Sequence, residues 1–146
     1  MKLKEENKQK FAKVMISMSR ALKVEAEKCS QLCGVVTEKE VIVIDFVGGH
    51  GNVKMSDIAD NIDAPMSTIT SIIDKLVEKK LINRDHSGED RRVVNVSLTA
   101  SGKAAYKRLC TKKDKLAENV LSQLNERDQA LIIKHLDLIV GEMSKP

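Results

Sequence analysis

Four short hydroxyl side chains, Ser67, Thr68, Thr70 and Ser71, crowd the start of a segment that begins just after Pro65, and Lys75 follows them. Hydroxyls at a helix N-terminus approach a phosphate or a base edge closely, and the free N–H groups there favour an anion. A second cluster follows, in which Arg84, Arg91 and Arg92 bracket a polar tip, Asp85-His86-Ser87-Gly88-Glu89-Asp90. Arginine is drawn to the negative potential of a narrow groove. Both clusters suit contact with a polyanion, and they stand on consecutive elements.

The elements that must position them are legible in the patterning. Residues 56–62 read as a helix capped by Ser56, with Ile58, Ala59 and Ile62 facing inward. Asp63-Ala64-Pro65 makes a turn, with Pro65 suited to the first position of the next helix because it has no N–H to lose. That helix, 66–80, buries Ile69, Ile72, Ile73, Leu76 and Val77 and presents the hydroxyls on its other face. A hairpin follows, with residues 82–84 going out and 91–98 coming back. On the return, Val94, Val96 and Leu98 alternate with Asn95 and Ser97. Two helices, a turn and a basic wing form a lobe that reads double-stranded DNA.

Upstream, Thr37-Glu38-Lys39-Glu40 is a capping box opening an apolar helix over 38–47. Its β-branched run also suits a strand, and the capping box decides for helix. Gly48-Gly49-His50-Gly51-Asn52 reads as a turn and 53–55 as a short edge strand. The outer segments are long helices. Phe11, Met15, Met18, Leu22, Ala26, Cys29 and Cys33 form a stripe along 4–33, which Gly34 stops. Thr99 caps a helix over 100–122, rich in lysine, with Ala105, Leu109, Leu116 and Val120 on one face. Asn125 caps another to Met143, with Ile132, Leu136, Ile139 and Met143 on one face. These stripes exceed what the chain can cover, and a symmetric dimer is the economical solution. The expected organisation is one domain over 1–146, with dimerisation helices at 4–33 and 100–143 around a winged helix–turn–helix lobe at 37–98.

Composition narrows the function classes. Phe11, Phe46 and Tyr106 are the aromatic residues, so a stacking platform for single strands is not expected. The net charge of +4 is uneven. Residues 1–50 carry nine basic against seven acidic side chains, 51–98 seven against eight, and 99–146 nine against six. The reading lobe is therefore not basic overall, and its footprint must come from where Lys75, Lys79, Lys80, Arg84, Arg91 and Arg92 sit. No stretch has the length of a membrane span, and the N-terminus lacks an apolar signal core. A cytoplasmic protein with three reduced thiols is expected. No nucleophile, paired-carboxylate site or phosphate loop is present, so neither an enzyme nor a cofactor is expected. His50, His86 and His135 have no ligand spacing. Cys29 and Cys33, four apart on one stripe, suit either two small core residues or a thiol or zinc sensor with Glu25.

Arg84, then Asp90-Arg91-Arg92, then the strand ending Leu98-Thr99-Ala100-Ser101-Gly102 resemble a family signature. The family is the MarR family of bacterial transcriptional regulators, whose pattern is Arg, five residues, Asp-Arg-Arg and a strand ending Leu-Thr-x-x-Gly. The helix order is similar over nearly all of the chain. The tip departs, reading His86-Ser87-Gly88-Glu89 where a proline is common. The resemblance implies a mainly α fold with a small β wing. It implies a homodimer on a pseudo-palindromic duplex, with the helix at 66–80 in the major groove and the wing in the minor groove. One wing arginine, Arg91 or Arg92, enters the groove and Asp90 holds its guanidinium. The expected DNA-binding set is Pro65, Ser67, Thr68, Thr70, Ser71, Lys75, Arg84, Ser87, Gly88, Asp90, Arg91 and Arg92. The expected function is a homodimeric repressor that an effector, of small-molecule kind where one exists, releases by changing the spacing of the two reading helices. Half-sites lie ~34 Å apart, so little change is needed. Two alternatives stand beside it: a metal- or thiol-responsive regulator using Cys29 and Cys33, and a winged-helix protein-interaction module.

Overall fold

The computed structural model describes residues 3–34 and 36–145. In chain order these form α1 (Glu5–Leu32), α2 (Glu38–His50), β1 (Val53–Lys54), α3 (Met55–Ile62), α4 (Met66–Glu78), β2 (Ile82–His86), β3 (Val94–Leu98), α5 (Ala100–Leu121) and α6 (Glu126–Met143). The fold is mainly α with a small antiparallel sheet in the order β1-β3-β2. The chain divides into two compact units, 1–109 and 110–146, and the division falls inside α5. No helix among the described residues is long and apolar enough to cross a membrane.

In the first unit the core gathers around α2, where Val43, Ile44 and Val47 are fully buried. The capping box starts this helix as expected: the Thr37 N–H donates to Glu40 Oε2 at 2.7 Å and the Glu40 N–H to Thr37 Oγ1 at 3.3 Å. The expected turn at 48–52 forms only at its end, because α2 runs on through Gly48, Gly49 and His50. Gly48 serves a close approach there. A Cβ on it would lie 2.3 Å from Cδ2 of the Tyr106 ring. Gly51, at φ +86°, ends the helix.

The two helices of the reading pair also differ slightly from expectation. The α3 helix starts at Met55, so Ser56 lies inside its first turn. The Lys54 N–H points to Asp57 Oδ2 at 3.4 Å instead. Pro65 is the N-cap of α4 and not its first residue, and its carbonyl accepts from the N–H groups of Thr68 and Ile69 at 2.9 and 3.1 Å. Within α4, Ile69, Ile72, Ile73 and Leu76 are buried as expected, but Val77 is exposed. The helix stops at Glu78, short of Lys80. Lys80 takes the left-handed conformation, φ +60°, and donates to the Val77 carbonyl while Leu81 donates to that of Leu76. This is a Schellman ending with lysine where glycine is usual.

The sheet sets the register of the wing. Ile82 pairs with Leu98, Arg84 with Val96 and His86 with Val94, and β1 covers the other edge of β3. Val96 and Leu98 are buried and Val94 packs against the core, as the alternation predicts.

The second unit is the rest of α5 followed by α6. Asn125 caps α6, with its Oδ1 accepting from the Asp128 N–H at 3.0 Å.

Candidate nucleic-acid interface

The exposed face of α4 carries Ser67 and Ser71 in the open, Thr68 and Thr70 half-buried, and Asp74 and Lys75 in the open. The buried stripe forces this division, because a helix that points Ile69, Ile72, Ile73 and Leu76 inward turns 67, 70, 71 and 74 outward. Thr70 Oγ1 donates to the Met66 carbonyl at 2.9 Å, which leaves its lone pairs for an outside donor.

The outgoing strand of the wing runs two residues further than expected, to His86, while the return strand starts only at Val94, so Arg91 and Arg92 lie in the turn and not on that strand. Strand β2 continues to His86 because ladder-like bonds persist beyond it. Its ring Nδ1–H donates to the Arg91 carbonyl at 2.9 Å, and the Ser87 N–H donates to the Val93 carbonyl at 2.8 Å. Ser87 Oγ accepts from the Glu89 N–H at 3.3 Å, and Gly88 faces open space. Asp90 Oδ1 accepts from the backbone N–H of Arg92 at 2.9 Å. The aspartate therefore shapes the turn that presents the arginines and does not clasp a guanidinium. Among the described residues neither Arg91 nor Arg92 has an ion-pair partner, whereas Arg84 Nη1 is bound to Asp74 Oδ1 at 2.6 Å.

Two grooves join these elements. One, of about 450 Å³, lies between α4 and the wing and brings Thr70, Arg84 and Arg92 together with Lys54 and Ser56. The other, of about 630 Å³, lies between α4 and the start of α2 and gathers Ser67, Thr68, Ser71 and Lys75 with Thr37 and Lys39. The expected residues thus divide between two grooves that share α4. Pro65, Ser87, Gly88, Asp90 and Arg91 line neither. Lys54, Ser56, Thr37 and Lys39 were not expected. Each is a cation or hydroxyl near a helix start, a signal hidden because Ser56 and Thr37 read as caps.

The end of α4 is tied down at both sides. Glu40 is 1% exposed, and its Oε2 also accepts from Lys79 Nζ at 2.7 Å. Burial alone would raise the Glu40 carboxyl, but the Lys79 ammonium and the Thr37 bonds outweigh it and hold the pKa below the usual range. On the other side the Leu-Thr-x-x-Gly element grips the Schellman ending. The Thr99 N–H donates to the Leu81 carbonyl at 3.1 Å, Thr99 Oγ1 donates to the Lys80 carbonyl at 2.7 Å, and the Gly102 N–H donates to Thr99 Oγ1 at 3.0 Å. A Cβ at Gly102 would lie 2.0 Å from the Leu81 carbonyl oxygen.

Cys29 and Cys33 line neither groove. Cys33 is 3% exposed, and burial raises its thiol pKa, opposed by Arg108 and reinforced by Cys29. A thiol held protonated is a poor nucleophile and a poor metal ligand. No group of three metal-ligating side chains occurs among the described residues.

Residues 36–102 match the model of the winged helix DNA-binding domain. The chain is 32% identical over 93 residues to the HTH-type transcriptional repressor MdtR of Bacillus subtilis (strain 168). That match covers 64% of this chain and 60% of the repressor, so the chain spans about three-fifths of its relative's length. The crystal structure of Streptococcus pneumoniae FabT in complex with DNA superposes with a TM-score of 0.83 at 23% identity, over 92% of this chain and 96% of that one. A MarR transcriptional regulator from Methanosarcina mazei Go1 superposes at 0.74 and 18% identity, over 92% and 96% of the two chains.

Proposed function

We propose that the chain is a winged helix–turn–helix transcriptional regulator of the MarR kind, a homodimeric repressor that reads a pseudo-palindromic DNA duplex; the winged helix domain match over residues 36–102 and the similarity to a B. subtilis repressor support this reading. The observation that carries this is the shared groove system. Helix α4 lends hydroxyls to both grooves: Thr70 lines one with Arg92 of the wing, and Ser67, Thr68 and Ser71 line the other with Lys75.

The roles follow from chemistry. The α4 face, with Ser67, Thr68, Thr70, Ser71 and Lys75, enters the major groove, where its hydroxyls reach base edges and Lys75 a phosphate. Pro65 fixes the angle at which α4 begins. Ser87, Gly88 and Asp90 shape the turn that presents Arg91 and Arg92, one of which enters the minor groove. Arg84, committed to Asp74, stands apart from these. The name of the B. subtilis relative and the DNA-bound state of the S. pneumoniae one support DNA reading and repression.

Pairing of two chains is supported by apolar side chains that each unit leaves in water. On α1, Phe11, Val14, Ile16 and Leu22 are each more than half exposed; on α6, Ile133, Leu138, Val140 and Met143 are. Large apolar side chains left exposed in number mark association surfaces. An effector acts by altering the spacing of the two α4 helices in the dimer. Cys33 is buried and its thiol pKa is raised by that burial, which disfavours this thiol as the trigger.

The test is selection of bound duplexes from a random DNA pool, with an Arg91→Ala/Arg92→Ala variant alongside. Wild-type protein is expected to enrich an inverted repeat and the variant to enrich none. Absence of enrichment at low salt overturns the function.

A further inference from the structure

Asp74 places a negative charge on the face of α4 that the proposed function lays against DNA. It follows Thr70 by one helical turn and Ser67 by two. Its Oδ1 accepts from Arg84 Nη1 at 2.6 Å, and the side chains are 55% and 35% exposed, respectively. The pair spans two elements, since Asp74 lies on α4 and Arg84 on β2. Arg91 and Arg92, by contrast, have no ion-pair partner among the described residues.

We propose that Asp74 is a positioning residue that holds Arg84 on the protein and withholds one guanidinium from the DNA phosphates. The inference rests on the DNA-reading function above. An exposed ion pair is a weak fastener, so a phosphate competes for Arg84. What the exchange leaves behind decides the competition. If Arg84 moves to a phosphate, the Asp74 carboxylate stays unpaired beside a polyanion, and like charges at that range repel. Keeping the pair closed cancels the carboxylate and leaves the wing with two available cations, Arg91 and Arg92. The protein thereby carries one phosphate contact fewer than its arginines allow, which limits the sequence-independent part of its affinity.

The experiment is the salt dependence of Kd for a random duplex and for the selected operator. Three proteins are compared: wild type, Asp74→Asn, and the Asp74→Asn/Arg84→Gln double variant. Both positions lie at the surface, and far-UV circular dichroism verifies that each variant is folded. One phosphate contact contributes about 0.9 to the slope of log K against log salt. Asp74→Asn is expected to steepen the slope by about 0.9 on both duplexes, which is about a 3.5-fold larger loss of affinity over a fourfold rise in salt. The double variant is expected to return to the wild-type slope. A wild-type slope in Asp74→Asn overturns the proposal, as does a double variant that stays steep or falls below wild type. The last result would place Arg84 on a phosphate already. Wild-type protein that binds no duplex overturns the DNA-reading function, and this inference with it.

Discussion

Glu40 is the one charged side chain among the described residues that lies out of water. Its Oε2 is shared by the Thr37 N–H and Lys79 Nζ, and its Oε1 has no partner among the described residues. A carboxylate whose folded pKa is lowered stabilises the fold above its unfolded value, about 4.3, and loses that contribution as pH falls through the lower folded value. Glu40→Gln keeps an acceptor for Thr37 but loses the charge facing Lys79. It is expected to cost about 1–2 kcal/mol at neutral pH. The gap between variant and wild type should narrow as the pH is taken below about 4.3, as measured by urea unfolding across pH. A gap that is constant with pH would remove the ionic role. The capping box itself was legible from Thr37-Glu38-Lys39-Glu40. The Lys79 contact was not, because it joins residues 39 positions apart and no local pattern announces it.

At the scale of elements, the end of α4, the end of β3 and the start of α5 meet at Leu81. The carbonyl of that residue accepts from Thr99, and Gly102 passes against it with no room for a side chain. The Leu-Thr-x-x-Gly element was visible in the sequence as a motif, and the structure gives its physical content as a joint between three elements. Gly102→Ala drives a methyl onto a backbone oxygen, which cannot swing aside as a side-chain tip does. We expect a loss of about 3 kcal/mol, read from thermal or urea unfolding; an unchanged midpoint would refute the close approach. Legibility failed where long-range packing overrode local signals. Gly48-Gly49-His50 has the composition of a turn yet is helical, because the glycines admit the Tyr106 ring. Lys80 reads as a helix former yet ends α4 in a left-handed conformation, since Leu81 is pulled into the core behind it. The wing arginines were assigned to a strand, and bonds from His86 and Ser87 put them in the turn instead.

At the scale of the whole molecule, the lobe proposed to read DNA carries no net basic charge, so the proposed affinity has to come from placement. Residues 51–98 hold seven basic and eight acidic side chains. The order of the helices and the polarity of α4 were legible, because periodicity and caps report them directly. The grooves were not, because they form between elements. The apolar residues left exposed on α1 and on α6 predict that the protein sediments at twice the mass of its chain at micromolar concentration; a monomer there would refute the pairing. The Tyr106 ring that fills the space over Gly48 has one more use. It is the only tyrosine of the chain, and there is no tryptophan. Excited to the red of the phenylalanine band, the unlabelled protein therefore emits from this one tyrosine, seated between α2 and the first part of α5. The intensity of that emission is a built-in gauge of whether those two helices stay in register when DNA, salt or a small molecule is added.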